Sequence, residues 1–319
     1  STYSLGFSDS PEIDERKLAG EIAKYWGSNH HEIVIESENL LEALPSMIDS
    51  LDEPYAGGLP SWFIYKAMKG KEKVCLTGTG GDEVFGNYGK WKNFGISLHS
   101  MRWILGAIKK DNRWVNSFIK FPRGSRYPLY FREYEKRNLF AHDMIPGLME
   151  SEELVESLFK ESRTDLAKDM IRYVDMSIQL PEEFLHMTDR FSMAFSIEAR
   201  PPFLDRKFIE SMFRIPSNHR VGGDHLKQVL IDAHRDVLPD FIISAPKKGF
   251  ILPIRNWLSG AINDRMHYYF DSNYIKKQNI FSTDFIAGQL EIFSKSNGRN
   301  AQKIWTLLMF QLWQEGLSK

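Results

Sequence analysis

A short strand followed by a glycine-rich turn is the feature that most restricts the fold of this chain. Residues 73–77 are apolar or β-favouring and are predicted to form a buried strand. The next four residues, 78–81, contain three glycines, which allow the backbone to turn sharply and to approach another group closely. Asp82 and Glu83 follow, where acidic side chains favour the first turn of a helix. A strand, a glycine turn and a helix in this order are typical of an open parallel sheet.

Two interpretations of this turn remain open. In the first, it is a nucleotide site, because ligands of open α/β sheets bind at the carboxyl ends of the strands and anions favour helix N-termini. In the second, it is a tight connection with no ligand, because a short glycine-rich signature is weak evidence by itself.

The first 90 residues alternate predicted strands with predicted helices. Further strands are predicted at 3–7 and 30–35. Helices are predicted at 12–26, at 39–51 with an interruption near Pro45, and at 61–69. This alternation predicts a parallel α/β sheet, so residues 1–90 are interpreted as an α/β nucleotide-binding half.

Residues 91–319 are predicted to form a mostly helical half, with no strand after about Lys90. The helical spacing of apolar residues places helices at 91–109, 113–121, 152–159, 165–180, 182–195, 206–213, 226–237, 254–270, 284–293 and 301–314. The frequent aromatic residues and methionines of this half are interpreted as core packing.

Composition excludes several classes of protein. The net charge of −1 gives no electrostatic footprint for nucleic acid or for an anionic membrane. Cys75 is the only cysteine, which rules out a disulfide framework and a thiolate metal cluster. No apolar run is long enough to span a bilayer, and the nine histidines show no metal-binding spacing. A cytoplasmic protein is therefore expected.

Two charged segments of the helical half are further candidates. Residues 189–205 crowd five charged side chains and a Pro-Pro break among apolar positions, so these charges must pair with one another or bind a ligand. Residues 246–253 form a proline-bounded loop in which a lysine pair precedes a glycine. Lysine can bind phosphate as a point charge, although a solvated loop explains the same pattern.

Together these segments resemble one family, the synthetase domain of asparagine synthetases, within the PP-loop ATP-pyrophosphatase superfamily. Residues 76–88 are similar to the family's Ser-Gly-Glu-Gly-Ser-Asp-Glu loop and the helix after it. Residues 189–205 are similar to its Asp-Arg-x-Ser-Met-Ala…Glu-x-Arg-x-Pro-Phe-Leu-Asp segment, and 247–250 to its Lys-x-Gly-Phe loop. The resemblance covers essentially the whole chain and implies a PP-loop/HUP-type α/β core followed by a helical lobe.

The resemblance implies that ATP adenylates the side-chain carboxylate of aspartate, that pyrophosphate leaves, and that ammonia forms the amide. ATP and Mg²⁺ are the implied cofactors. By the same resemblance, Leu5, Gly6, Thr77, Gly78 and Gly80 bind the nucleotide, Asp82 holds Mg²⁺, Lys247 binds the phosphates, Thr79 lies at the catalytic position, and Asp189, Glu198 and Arg200 shape the acceptor side.

The chain also departs from the family pattern. The Ser-Gly-Gly-x-Asp-Ser pyrophosphate loop, which in the family follows the first core strand, is absent, and so is the glutaminase domain with its N-terminal cysteine. A fragment truncated at its N-terminus is therefore expected, inactive alone and dependent on a missing glutaminase domain for ammonia. Its expected partners are small molecules, with no nucleic acid and no membrane, and a homodimer is left open.

Thr79 is the second departure. Asparagine synthetases carry a glutamate there, which is thought to handle the proton of the attacking ammonia, and a threonine cannot be that base at neutral pH. Two alternatives to asparagine formation follow. The protein amidates another carboxylate, such as one on a cell-surface sugar or a β-lactam precursor, or it is a catalytically degenerate nucleotide-fold module.

Overall fold

The computed structural model describes residues 1–8, 10, 13–86, 127–220, 227–245 and 252–317. Four strands lie in this part of the chain: β1 (Thr2–Phe7), β2 (His30–Ile35), β3 (Val74–Leu76) and β4 (Glu198–Arg200). The three strands predicted in the first 90 residues are therefore confirmed, with small shifts of their ends. The predicted burial of the strand at 73–77 is wrong, because Val74 and Leu76 of β3 are exposed and Cys75 is only partly buried.

Helices make up most of the remaining described structure. They are α1 (Arg16–Tyr25), α2 (Ser37–Leu51), α3 (Leu59–Met68), α4 (Gly81–Phe85), α5 (Glu133–Leu139), α6 (Ser151–Glu161), α7 (Ala167–Val174), α8 (His186–Ala194), α9 (Arg206–Arg214), α10 (Ser217–Arg220), α11 (Gln228–Ala233), α12 (Asp240–Ile243), α13 (Ile254–Ser259), α14 (Asn263–Tyr269), α15 (Ser272–Gln278), α16 (Thr283–Lys295) and α17 (Ala301–Leu317). Short 3₁₀ helices lie at His142–Gly147 and Pro202–Leu204, and a π-helix at Asp175–Leu185 joins α7 to α8.

The strands form two small parallel sheets. β1 pairs with β2, and α1 provides the crossover that a parallel pair requires. β3 pairs with β4, so that Val74 lies beside Glu198 and Leu76 beside Arg200. The fold is thus mixed α/β and rich in helix, as expected in outline.

The prediction that no strand follows Lys90 is wrong, because β4 lies well inside the helical half. Its sequence, Glu-Ala-Arg, is short and contains no β-favouring residue, and its backbone is held by β3. Glu198 N donates to Lys73 O at 2.8 Å, and Thr77 N donates to Arg200 O at 3.0 Å. The two predicted halves therefore share a sheet, and their expected boundary near residue 90 falls outside the described residues.

Two helix predictions also need correction, and some helices were missed. The predicted interruption at Pro45 is wrong, because α2 continues through it and buries Leu44, Met47 and Ile48 on its inner face. The single helix predicted at 254–270 is two helices, α13 and α14, separated at Gly260. Helices α5, α10, α12 and α15 were not predicted. The predicted helices at 91–109 and 113–121 lie outside the described residues.

The main hydrophobic core lies where α2, α3, α8, α13 and α17 pack around β1. Trp257 and Trp305 are almost completely buried, with ring centres 5.8 Å apart, and Phe7 of β1 meets Trp257 edge-on at 5.7 Å. Aromatic side chains of this size remove much apolar surface from water, so this cluster anchors the C-terminal helix to the sheet. No helix in the described ranges is both long and apolar enough to cross a membrane.

A smaller core supports the helix that follows the glycine turn. Val84 and Phe85 of α4 and Met212 of α9 are buried together, and Phe203 and Phe208 pack against them. The ring centres of Phe85 and Phe203 lie 5.6 Å apart. The segment around residue 203 therefore fixes the position of α4 and of the turn before it.

Candidate active site at the glycine-rich turn

A cleft of about 840 Å³ opens beside the glycine-rich turn. Its walls come from the first residues of β1, the inner face of α3, strand β3, the turn, the start of α4 and the junction of the π-helix with α8. Its volume is typical of small-molecule sites in enzymes. Of the residues expected at the site, those that line this cleft are Thr77, Gly78, Thr79, Gly80 and Asp82.

The turn itself is built from short backbone hydrogen bonds. Gly81 N donates to Gly78 O at 3.1 Å, and Val84 N donates to Gly80 O at 2.9 Å as α4 begins. Gly80 has a φ of +85°, a left-handed conformation that side chains disfavour. The predicted sequence of strand, sharp glycine turn and helix is confirmed.

The glycines of the turn differ in what surrounds them. A Cβ on Gly80 would lie 2.2 Å from Leu204 Cδ2, and one on Gly81 would lie 3.2 Å from Phe203 Cδ2. These two glycines therefore admit the side chains of the 3₁₀ segment after β4. A Cβ on Gly78 would meet nothing within 4 Å, so the space beside Gly78 is open.

An ion pair stands at the start of α4. Lys227 Nζ lies 2.7 Å from Asp82 Oδ1, and both side chains are partly exposed. Lys227 has a left-handed backbone with φ of 62° immediately before α11. Sequence reasoning missed this lysine because no neighbouring residue marks it, and only the folded chain brings it beside the turn.

Two threonines of the turn form a hydrogen bond with each other. Thr77 Oγ1 donates a hydrogen bond to Thr79 Oγ1 over 3.1 Å. Both side chains are uncharged, so this part of the cleft can donate and accept hydrogen bonds but carries no ionised base. In the same cleft, burial raises the pKa of Tyr65, which keeps its hydroxyl protonated at neutral pH.

The segment expected on the acceptor side lies directly beside the turn. Val74 and Leu76 of β3, and Glu198 and Arg200 of β4, are all exposed and face the same side of this sheet. Arg200 Nε lies 3.6 Å from Glu198 Oε1. An acid–base pair therefore borders the apolar strip of β3 that forms one wall of the cleft.

Of the other predicted residues that the structure describes, Leu5, Gly6, Asp189, Glu198 and Arg200 do not line the cleft. Leu5 and Gly6 are buried in β1, and a Cβ on Gly6 would lie 2.4 Å from both the Asp14 carboxylate and the Arg16 guanidinium. Asp189 is exposed on α8, next to Thr188, which does line the cleft. Lys247 lies outside the described residues. The roles expected for all of these residues stay predictions.

The next question is which described side chains could coordinate the expected Mg²⁺ ion. Within the described ranges, no three His, Cys, Asp or Glu side chains are grouped to hold a metal by themselves. Mg²⁺ in nucleotide sites is commonly held by one or two carboxylates together with substrate phosphates and water. Asp82, which lines the cleft, fits that chemistry.

Comparison with known proteins identifies the family. The model of the family described as asparagine synthase matches residues 1–315. This chain belongs to the asparagine synthase family. Within this chain, the match includes the glycine turn, the Asp82–Lys227 pair and β4.

Curated relatives agree with this assignment. Asparagine synthetase [glutamine-hydrolyzing] 1 of Bacillus subtilis is 27% identical over 98% of this chain and 51% of its own length. A putative asparagine synthetase [glutamine-hydrolyzing] of Mycobacterium bovis is 24% identical over 98% of this chain and 50% of its length. A protein named amidase chry2 from Gibberella zeae is 19% identical over 97% of this chain and 52% of its length. The chain thus spans about half the length of these relatives.

Proposed function

We propose that this chain is the synthetase portion of an ATP-dependent amide-forming enzyme of the asparagine synthetase type. In this reaction a carboxylate, with aspartate as the first candidate, attacks the α-phosphate of ATP and pyrophosphate leaves. Ammonia then attacks the acyl-adenylate, and the amide and AMP are formed. The observation that supports the proposal is a single cleft lined by the open glycine backbone, Asp82 and strand β3. Lys227 contacts this cleft through its ion pair with Asp82, and β4 adjoins it through its pairing with β3.

The Asp82–Lys227 pair suits a polyphosphate site. The two charges cancel while they face each other at 2.7 Å. When a nucleotide enters, the lysine can turn to a phosphate oxygen and the carboxylate can help to hold Mg²⁺, so that each charge keeps an opposite partner. The bound Mg²⁺ would offset the negative charge of the leaving pyrophosphate.

The cleft walls suit the rest of the nucleotide and the acceptor. The open backbone at Gly78 allows close approach of a ribose or phosphate. The exposed apolar side chains of Val74 and Leu76 offer surface to an adenine ring. Glu198 and Arg200 lie beside this strip, where they would orient the amino and carboxylate groups of an amino-acid acceptor. Lys247 is proposed, by resemblance alone, to bind the same phosphates.

A second candidate keeps the reaction and changes the acceptor. Thr79 Oγ1 accepts a hydrogen bond from Thr77 Oγ1, and a threonine cannot take the proton of the ammonia at neutral pH. A relative named an amidase is also among the matching proteins. An amide-forming enzyme that acts on a carboxylate other than aspartate accounts for both observations.

The proposed setting of the enzyme follows from its family. Ammonia would come from glutamine through a glutaminase domain outside these residues, and the reaction would take place in the cytoplasm. The substrates would be small molecules. We do not expect the 319 residues alone to turn over ATP.

The test measures pyrophosphate release by the full-length protein with ATP, Mg²⁺ and ammonia against aspartate, a uronic acid and a β-amino acid. Lys227→Gln should lower the rate by about a hundredfold, because it removes a charge that faces the phosphates. It should lower the free energy of unfolding by less than about 1 kcal/mol, because the ion pair is partly exposed.

Lys207→Gln is the matched control, since Lys207 is exposed on α9 and its replacement removes the same charge. Release with aspartate supports the first candidate, and release only with another acid supports the second. Normal rates in both Lys227→Gln and Asp82→Asn would contradict the proposed site.

A further inference from the structure

Two buried arginines lie in the helical half, away from the cleft. Arg172 of α7 is 4% exposed and Arg220 of α10 is 3% exposed, and neither lines the cleft described above. Arginine is rarely buried to this degree unless its charge is paired, because removing a guanidinium from water is costly.

The charges around these arginines do not balance among the described residues. Arg172 Nη2 donates to Asp169 Oδ1, and Arg220 Nη2 lies 3.6 Å from the same oxygen. Arg220 Nε donates to the backbone oxygen of Ile215 at 2.6 Å. Two positive charges therefore share a single carboxylate, and the cluster keeps one net positive charge.

The hydrogen bonds are incomplete as well. Three guanidinium nitrogens are buried and have no hydrogen-bond partner within the described part of the chain: Nε and Nη1 of Arg172, and Nη1 of Arg220. A buried donor without an acceptor costs about 1–3 kcal/mol, and more when the group is charged. Within the described residues, the cluster thus lacks both a negative charge and several acceptor oxygens.

Both guanidinium groups stay charged in this environment. Burial, together with the nearby charge of Arg220, lowers the pKa of Arg172 to about 10, and burial also lowers the pKa of Arg220. At neutral pH both groups remain protonated. Loss of a proton therefore does not remove the imbalance.

Phe213 of α9 covers the pair. The centre of its ring lies 5.0 Å from Arg172 Cζ and 4.9 Å from Arg220 Cζ, within range of a cation–π contact with each. The side chain is nevertheless 42% exposed. The ring thus stands between the guanidinium groups and water, and a rotation of one side chain would uncover them.

We propose that Arg172 and Arg220 form a binding site for a small oxyanion, which enters when the ring of Phe213 turns aside. The oxygens of such an anion would accept the unused N–H groups, and its charge would balance the cluster. Guanidinium groups bind carboxylates and phosphates strongly because their planar, fixed donors match these oxygens. The site is separate from the cleft and does not depend on the proposed function.

The experiment compares inorganic phosphate and formate with chloride at equal ionic strength, by calorimetric titration and by thermal unfolding of the protein. We expect phosphate or formate, unlike chloride, to release binding heat and to raise Tm by about 3 °C at saturation. Binding by phosphate alone assigns the site to phosphate groups, and binding by formate assigns it to carboxylates.

Variants decide whether binding occurs at this cluster. Arg172→Gln and Arg220→Gln should abolish the binding heat. Asp169→Asn should tighten binding about tenfold, because it removes the competing negative charge. Phe213→Ala should also tighten binding, because it removes the cover. Arg214→Gln is the control, since this neighbour is exposed and carries the same charge.

If a glutamine variant does not fold, the tighter binding expected for Asp169→Asn and Phe213→Ala still tests the proposal. A cluster with a purely structural role would not bind anions more tightly after losing Asp169. The proposal is overturned if neither anion binds or if Asp169→Asn leaves the affinity unchanged. It is also overturned if binding is lost in Lys227→Gln but kept in Arg220→Gln, which would move the anion to the cleft.

Discussion

Gly80 offers the sharpest test of how the turn is built. In Gly80→Ala the new Cβ would lie 2.2 Å from Leu204 Cδ2 and 2.5 Å from Leu204 Cγ, and the residue would keep a φ of +85°. The left-handed conformation costs about 1–2 kcal/mol for alanine. Forcing Leu204 to move adds about 1–3 kcal/mol, since this side chain packs against the core beneath α4.

We therefore expect Gly80→Ala to lower the free energy of unfolding by about 2–5 kcal/mol, and Tm by roughly 3–7 °C. Urea denaturation with Gly80→Ala, Leu204→Ala and the double variant measures the coupling between the two positions. The clash part of the cost should disappear in the double variant, whereas the backbone part should remain.

Gly78→Ala is the control, because its Cβ would meet nothing within 4 Å and its backbone is not left-handed. It should change stability by no more than about 0.5 kcal/mol. Equal losses in Gly78→Ala and Gly80→Ala, or no coupling between Gly80 and Leu204, would refute this account of the turn.

Two further predictions concern stability. Burial raises the pKa of Tyr127 above its usual 10.0, and so does the carboxylate of Asp175, to which its hydroxyl donates a hydrogen bond. The contribution of this neutral hydroxyl to the free energy of unfolding is therefore present below pH 10.0 and is lost as the pH rises above it. Tyr127→Phe should therefore reduce the alkaline loss of stability by up to about 1.4 kcal/mol per pH unit. Urea midpoints from about pH 9 to about pH 11 measure this, with the exposed Tyr25→Phe as control. Trp305 is fully buried and its Nε1 donates to Ala56 O at 2.8 Å, so Trp305→Phe should cost about 2–4 kcal/mol in the same assay. The half-exposed Trp26→Phe should cost less than about 0.5 kcal/mol, and equal costs would contradict the core described here.

The strand, the turn and α4 could be predicted because their chemistry is local. Glycines and acidic residues at 78–83 specify a sharp turn and a helix start without help from distant parts of the chain. The sequence does not show why glycine is required at position 80. Its lack of a side chain fits Leu204, which is more than a hundred residues away in sequence.

Strand β4 and Lys227 could not be predicted in the same way. The Glu-Ala-Arg sequence of β4 favours no strand, and its backbone is extended because β3 supplies its hydrogen bonds. Lys227 has no neighbouring signal and meets Asp82 only through the packing of α11 near α4. Non-local contacts of this kind determine both features, so a pattern along the chain cannot reveal them.

The small number of strands in each described sheet has a consequence for how this protein meets other molecules. Each described sheet contains two strands, so every strand has one side without a hydrogen-bonded neighbour in the described structure. On β3 this side accompanies the apolar Leu76, which is 75% exposed. Such edges recruit extended segments from other molecules, so we expect the described edge of β3 to be a position where another chain can add a strand.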